Sequence, residues 1–267
     1  MKGISSEAEA LKRWGEDVLA CVGFLTRMPV GSWATVAVRP LSQVMRAFPI
    51  VGALLGICGG LVLAAVAALG APPLLAAAIA LACLIALTGA LHEDGFADLL
   101  DGFGGGKDRE DVLAIMRDSR IGTFGVLGLV LVLIAKATSL GEIVERSWYV
   151  APLALAGTSA FSRAMIVWLM GTTPPARPDG LSASAGQPGP DAVKSALLIG
   201  AIGSGLLLLA AVGLPTALLA LILGWGSAAA IRAITMERIG GQTGDVCGAV
   251  QVISETVMLA VIAIMLR

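Results

Sequence analysis

The chain has 267 residues, of which 57% are hydrophobic and only 14% are charged, and its formal net charge is −1. Soluble domains carry about 25% charged residues, so this composition excludes an ordinary soluble protein and indicates an integral membrane protein. The near-zero net charge provides no overall positive field to attract nucleic acid, so no nucleic-acid partner is expected.

Seven apolar stretches are each about twenty residues long, the length that a membrane-spanning helix needs. They predict an all-α fold, a polytopic helical bundle of about seven spans that forms one membrane-embedded domain over residues 1–267. Short links that contain proline join two pairs of spans and predict tight hairpins, because proline ends a helix. The spans are expected at roughly 48–70, 72–91, 122–140, 148–170, 195–213, 214–231 and 246–266.

The N-terminal segment, residues 1–47, precedes the first predicted span. Its apolar part, residues 17–26, is too short to cross a bilayer, so an interfacial or re-entrant helix is expected there. The polar start of the chain has no apolar h-region of the kind found in signal peptides. The N-terminus is therefore expected in the cytoplasm.

The distribution of basic residues supports this orientation. With the N-terminus inside, 14 of the 18 Lys and Arg residues fall on the cytoplasmic side, as the positive-inside rule requires. The same orientation places the polar segments 92–121 and 232–255 on that side. A transporter is expected to have symmetric halves or broken spans around a midplane site, so the arrangement favours an enzyme whose active site opens to the cytoplasm. The exceptions to the charge bias are Arg146 and Arg267 on the outer side and Lys136 and Arg163 within spans.

An acidic motif, HEDGFADLLDG, directly follows the second span. Asp94, Asp98 and Asp101 stand at positions i, i+4 and i+7, which places them on one face of a helix. Three adjacent carboxylates repel one another unless a cation binds them, and hard oxygen ligands favour Mg²⁺, Mn²⁺ or Ca²⁺. The alternative is a solvated acidic face at the end of a span.

Glycines surround this motif. Gly95 removes a side chain where a ligand could approach the helix. The run GFGGG, residues 102–106, can adopt positive φ and expose backbone N–H groups as an anion nest. Gly104 and Gly105 are therefore predicted to bind a phosphate-containing substrate.

The following segment, residues 107–122, has the pattern of an amphipathic helix that lies on the membrane surface. Arg117 and Arg120 in this segment are expected to contact either lipid headgroups or substrate phosphates.

Three further polar residues need an explanation. Arg163 and Glu255 lie inside predicted spans, where a charge is costly unless it is paired or faces a cavity. They either pair with each other or line the inner end of an active-site cavity. Asp245, in the motif GGQTGD, is either a further metal ligand or a cap for the last span. The concentration of polar residues on one side favours the cavity for Asp245.

These motifs, taken in order along the chain, resemble the cobalamin synthase family, the adenosylcobinamide-GDP ribazoletransferases. The resemblance implies a Mg²⁺-dependent enzyme of the bacterial inner membrane that catalyses the last assembly step of vitamin B12. In that reaction α-ribazole, or its 5′-phosphate, attacks adenosylcobinamide-GDP and GMP leaves. The matching motifs are FLTRMPV (24–30), FPIVGALLG (48–56), HEDGFADLLDGFGGG (92–106), IMRDSRIGTFG (115–125), SRAMIV (162–167) and GGQTGDVCGAVQVISE (240–255).

The resemblance also implies roles for individual residues. It implies metal binding by the three aspartates of the acidic motif and phosphate contacts for the two arginines of the second block. It further implies substrate-binding roles for two polar residues within spans, and it leaves several candidates for the general base. The metal ligands are Asp94, Asp98 and Asp101, the phosphate contacts are Arg117 and Arg120, the residues within spans are Arg163 and Glu255, and the candidate bases are His92, Asp118 and Asp245.

The chain departs from the family pattern at Glu93 and Phe96, where leucines are more common, so Glu93 adds a fourth acid. The corrin ring is expected at the membrane interface near Trp14, Trp33 or the 107–122 helix. Membrane lipids and other late cobalamin-pathway enzymes are further implied partners.

Two rival functions remain at this point. The first is a CDP-alcohol phosphotransferase that makes phospholipids, but the signature of that family requires an Arg and a four-residue spacing of its last acids, and neither is present. The second is a cation or solute transporter that uses the acids as a cation site. The release of GMP separates both from a ribazoletransferase.

Overall fold

The computed structural model describes residues 2–30 and 39–266, with side chains from residue 9 onward; Trp33 lies outside the described residues. The described residues are helical, apart from loops and an isolated two-residue bridge between Pro175 and Gln242. The all-α prediction is therefore confirmed. The helices are α1 (Lys2–Leu25), α2 (Leu41–Val44), α3 (Phe48–Ala68), α4 (Pro73–Thr88), α5 (Leu91–Gly105), α6 (Arg109–Ile115), α7 (Thr123–Arg146), α8 (Val150–Thr172), α9 (Leu181–Ala185), α10 (Pro190–Leu198), α11 (Ser204–Ile239) and α12 (Gly244–Met265).

Five helical segments of the described chain are long and apolar enough to cross a membrane, which confirms a polytopic bundle. A sixth is added if α4 and α5 count as one span, although the chain bends by 92° between them. The bend follows Gly89 and Ala90, which both adopt left-handed backbone conformations. The acidic motif therefore lies on a separate helix set across the end of the preceding one. The five segments are Leu41–Ala68, Thr123–Arg146, Val150–Thr172, Pro190–Ile239 and Gly244–Met265.

The longest segment, Pro190–Ile239, reverses direction at Gly213, whose φ of 76° and ψ of 170° are not helical. Pro215 follows directly, and proline cannot continue the hydrogen bonding of the preceding turn. Gly205 and Leu221 lie on opposite sides of this break, and a Cβ atom on Gly205 would be 4.0 Å from the Leu221 side chain. The two arms are thus antiparallel and supply the two spans that the sequence predicts on either side of residue 213.

The packing of α3 against α8 depends on three glycines spaced four residues apart. A Cβ atom on Gly52, Gly56 or Gly60 would approach the α8 backbone to less than 3.0 Å. Small residues at this spacing let two helix backbones approach closely, which is the usual way in which helices pack inside a membrane. These contacts hold α8 in the centre of the bundle, where almost all of its side chains are buried.

The N-terminal helix α1 is longer than the short apolar helix predicted at 17–26, because it also includes the polar residues before it. Its last turns pack into the core through Cys21 and Leu25, which are buried. Asp17 is fully buried and forms ion pairs with Arg39 and Arg46. This pairing joins α1 to the segment that leads into α3.

The predicted amphipathic helix at 107–122 is shorter than expected. Only α6, seven residues long, is helical, and the Asp108 side chain caps it by accepting a hydrogen bond from the Asp111 N–H at 2.9 Å. Val112 of α6 and Met116, which directly follows it, are buried against Gly106 and Gly102 at the end of α5. The prediction that this helix lies on the membrane surface is therefore wrong for its apolar face, which contacts protein.

Candidate active site

Two polar segments that the sequence predicts on one side of the membrane, 92–121 and 232–255, meet the loop that contains Ala176 at one end of the bundle. The Arg109 side chain, at the start of α6, donates hydrogen bonds to the carbonyl oxygens of Ile239 and Ala176. Arg238, near the end of α11, donates to the carbonyl oxygen of Gly106 at 3.2 Å. These contacts join residues that are far apart in sequence, and Ala176 directly precedes Arg177, which lines a pocket.

Helices α5 and α12 cross closely beside this pocket. A Cβ atom on Gly95 would lie 2.8 Å from the Cα atom of Asp245, and one on Gly248 would lie 2.7 Å from the carbonyl oxygen of His92. Gly95 therefore provides room for a neighbouring helix, whereas the sequence suggested room for a ligand. The close crossing brings the first turn of α12 against the acidic face of α5.

The pocket at this crossing has a charged side and an apolar side. Its charged side is lined by Asp94, Asp245 and Arg177, and the ring of His92, which is 4% exposed, also faces it. Asp98 is close enough to Asp94 and Asp245 for the three charges to interact. The apolar side is lined by Phe24, Leu25, Met45, Phe48, Ile166 and Met170.

The structure thus brings Asp94 and Asp98 of the predicted metal triad together with Asp245. Among the described residues, no group of three or more His, Cys, Asp and Glu side chains is arranged to hold a metal ion by itself. Mg²⁺ usually binds through one or two carboxylates together with waters and substrate phosphates. The chemistry of these acids therefore fits a Mg²⁺ site that substrate completes, and metal binding stays a prediction.

Asp101, the third member of the predicted triad, has a structural contact that the spacing did not reveal. Its two oxygens accept hydrogen bonds from the N–H groups of Gly122, at 2.7 Å, and Gly125, at 2.9 Å. These groups belong to the first turn of α7, where N–H groups have no partner within the helix. Asp101 thereby caps α7 from another helix, and its role as a metal ligand stays a prediction.

The glycine run 102–106 does not form the predicted anion nest. Gly104 and Gly105 continue α5, and none of the five residues has a positive φ. A Cβ atom on Gly104 would clash with the ring of Phe124, and one on Gly105 would lie 3.2 Å from Ile115. The nest prediction is wrong, because these glycines allow α6 and α7 to pack against α5.

Arg117, Asp118 and Arg120 lie outside the pocket, on the loop before α7. Arg117 forms an exposed ion pair with Asp179 at 2.6 Å, and Arg120, whose side chain is 87% exposed, pairs with Asp118. Hydrogen bonds from Arg120 lower the pKa of Asp118 to about 2. A carboxylate of such low pKa is a weak base, so this geometry disfavours Asp118 as the general base.

Arg163 and Glu255 form a buried ion network with Lys136. Glu255 accepts from Lys136 Nζ at 2.6 Å and from Arg163 Nη1 at 2.9 Å, and the Ser159 hydroxyl also donates to it. The pairing alternative is therefore confirmed, and it explains how the three charges are tolerated inside the bundle. The ion network already accounts for the burial of Arg163 and Glu255. Their contact with substrate stays a prediction.

A small second cavity lies against this network. It is lined by His92, Glu93, Lys136, Arg163 and Glu255. Because His92 lines both cavities, it forms the boundary between them. Glu93 lines this second cavity, whereas Asp94 lines the acidic pocket.

Arg177 is the pocket residue that the sequence did not single out. The backbones of residues 174–176 and Gln242 are joined by two hydrogen bonds, from Ala176 N–H to Gln242 O at 2.8 Å and from Gln242 N–H to Pro174 O at 2.9 Å. This bridge places Arg177 Nη2 3.6 Å from Asp245 Oδ2. The loop PPARP and the motif GGQTGD are more than sixty residues apart, and no spacing rule connects them.

The fold and the pocket together define a polytopic helical membrane protein with an acidic site at one end of the bundle. Residues 17–263 match the family model described as Cobalamin-5-phosphate synthase, and the chain belongs to this family. The family membership indicates a transferase of cobalamin biosynthesis. No solved structure shows a significant match to the chain.

Curated relatives are similar to almost the whole chain. A protein of Azorhizobium caulinodans named adenosylcobinamide-GDP ribazoletransferase is 42% identical over 254 residues, which cover 94% of this chain and 96% of the relative. A protein of the same name from Bradyrhizobium diazoefficiens is 42% identical over 255 residues, with 96% of both chains covered. A third, from Mesorhizobium japonicum, is 42% identical over 251 residues and 94% of both chains.

Proposed function

We propose that this protein transfers the adenosylcobinamide phosphate group from adenosylcobinamide-GDP to α-ribazole or to its 5′-phosphate. A hydroxyl oxygen of the acceptor attacks the phosphorus atom that carries cobinamide. The bond between this phosphorus and the bridging oxygen breaks, and GMP leaves with the bonding electrons. The products are adenosylcobalamin, or its 5′-phosphate, and GMP, and a base takes the hydroxyl proton.

The observation that carries this proposal is the meeting of Asp94, Asp245 and Arg177 at one pocket, with Asp98 close enough for its charge to interact with theirs. Displacement at a phosphate requires positioned groups and neutralised charge more than covalent catalysis. The pocket offers acids for a divalent cation and a guanidinium for phosphate oxygens. The names and the near-complete coverage of the relatives support the choice of substrates.

Asp94, Asp98 and Asp245 would hold Mg²⁺ in this proposal, with substrate phosphates completing its ligand set. When bound, Mg²⁺ would stabilise the negative charge that develops on the departing phosphate. With Asp245 assigned to the metal, His92 is the candidate base beside the pocket. His92 lies where it could pass a proton along the pocket wall, since it lines both cavities.

The same proposal places the protein in the bacterial inner membrane with the pocket and the N-terminus on the cytoplasmic side. The charge bias of the loops supports this orientation. The apolar side of the pocket supports a substrate with a large apolar part. Membrane lipids and other late cobalamin-pathway enzymes would be its further partners.

The experiment that tests the function is a GMP-release assay with purified protein in detergent. We expect release when adenosylcobinamide-GDP, α-ribazole and Mg²⁺ are all present, and release at background level when the acceptor is omitted or EDTA is added. The product is identified by chromatography. Folded protein that releases no GMP would contradict the proposal, as would protein that releases CMP from a CDP-alcohol.

A further inference from the structure

The guanidinium of Arg177 is incompletely satisfied in the pocket. Its side chain is 14% exposed, and Nη1 is fully buried with no hydrogen-bond partner among the described residues. Its contact with Asp245 is 3.6 Å long, which is beyond hydrogen-bonding distance, and that carboxylate already accepts from the Thr243 hydroxyl at 3.1 Å. A buried charged donor without a partner is costly, so an anion that binds the guanidinium group would offset part of that cost.

The position of Arg177 is determined by the backbone and does not depend on its own ion pair. The bridge between Pro175 and Gln242 fixes the backbone just before Arg177. The Arg109 side chain also donates a hydrogen bond to the carbonyl oxygen of Ala176. A Cβ atom on Gly241 would lie less than 3.0 Å from the backbone of Pro174, so the two segments pack closely. The backbone next to Arg177 is thus held beside the pocket before any ligand arrives, which lowers the entropic cost of binding.

The surroundings of Arg177 favour an anion with several oxygens. Helix α12 begins at Gly244, which lines the same pocket, and the N-terminus of a helix attracts anions. The nearby carboxylates would repel a phosphate unless positive charge offsets them. A planar guanidinium binds phosphate oxygens with high specificity.

We propose that Arg177, which lines the pocket together with Asp94 and Asp245, binds the diphosphate of the donor nucleotide through its guanidinium group. This inference rests on the proposed function, and it assigns a donor-binding residue that neither the motifs nor the family resemblance identified. The acceptor, α-ribazole, carries no diphosphate and is expected to bind independently of Arg177.

The test compares Arg177→Gln, Arg177→Lys and the control Arg146→Gln in the full-length protein. Arg146 is an exposed arginine at the far end of α7, so its substitution changes charge without touching the pocket. Isothermal titration with adenosylcobinamide-GDP, and separately with GDP and with α-ribazole, gives the dissociation constants. Thermal unfolding of each variant confirms that it is folded.

We expect Arg177→Gln to weaken donor and GDP binding by about tenfold to a hundredfold, the usual effect of removing a charge-assisted hydrogen bond. Arg177→Lys should recover part of this loss because it keeps the charge but not the planar group. Affinity for α-ribazole should be unchanged in both variants, and Arg146→Gln should bind all three ligands as wild type does.

Donor affinity equal to that of wild type in Arg177→Gln would overturn the inference, as would equal losses for donor and acceptor, which would indicate a purely structural role. If Arg177→Gln does not fold, Arg177→Lys decides: weaker donor binding with unchanged acceptor binding supports the proposal, and unchanged donor binding overturns it. Wild-type protein that binds GDP through Arg177 but releases no GMP would refute the proposed function and leave the diphosphate site standing.

Discussion

Asp98→Asn is expected to lower GMP release by at least about a hundredfold, with little change in thermal stability. The substitution keeps the shape of the side chain but removes a charge that faces Asp94 and Asp245. A bound divalent cation supplies several kcal/mol of transition-state stabilisation, part of which is lost when one of its carboxylate ligands is removed, and each 1.36 kcal/mol corresponds to about a tenfold change in rate. The measurement is the initial rate of GMP release at saturating donor, acceptor and Mg²⁺.

The matched control is Asp191→Asn, which removes an exposed carboxylate from the first turn of α10. This variant should release GMP at the wild-type rate. A rate for Asp98→Asn within a factor of two of the control would mean that the acids at the α5–α12 crossing are not part of the reaction.

Glu255→Gln is expected to destabilise the protein by about 3–5 kcal/mol, the range found when one partner of a buried ion network is removed. Glu255 is the shared anion of Lys136 and Arg163, so its neutralisation leaves two buried cations without a counter-charge. Lys136→Met should cost less, because the remaining pair between Arg163 and Glu255 is still neutral. The measurement is reversible unfolding in mixed micelles.

The double variant Lys136→Met/Glu255→Gln gives a further check on the network. Removing one cation and the anion together should cost less than the sum of the two single changes, because residues of one network do not act additively. Glu145→Gln, an exposed substitution in the last turn of α7, serves as the neutral control. Additive effects of the two single changes would contradict the shared role of Glu255.

The helical bundle could be predicted from the sequence because the length of an apolar run directly reflects bilayer thickness. The hairpin at Gly213 was predicted as well, since the proline-containing link at 212–215 joins two apolar runs of spanning length. The sharp turn between α4 and α5 was not predicted. It depends on left-handed conformations at Gly89 and Ala90, and alanine carries no signal for that conformation.

The candidate site was predicted in part. The helical spacing placed Asp94 and Asp98 on one face correctly, but the same spacing could not show that Asp101 is engaged with the start of α7, 21 residues further along the chain. Local sequence describes which residues share a face and not which neighbour covers that face. Asp245 was recognised as a candidate, although its position opposite Gly95 depends on how two helices cross.

The role of the glycine run 102–106 could not be predicted from the sequence. Glycine permits positive φ and also permits close packing, and sequence alone does not distinguish the two uses. In the structure Gly104 and Gly105 remain helical because α6 and the start of α7 pack against them. Arg177 was missed for a related reason, because a backbone bridge between two distant loops brings it to the pocket.

The central claim is that carboxylates of α5 and α12 form one site for a metal ion and a nucleotide. Its most direct test is to measure Mn²⁺ binding in the presence of GDP by electron paramagnetic resonance. Mn²⁺ replaces Mg²⁺ at oxygen-ligand sites. Wild-type protein should bind Mn²⁺ with GDP, and both Asp98→Asn and Asp245→Asn should weaken this binding by at least about tenfold. Binding by Asp245→Asn that equals wild type would show that α12 contributes no ligand and would contradict the account.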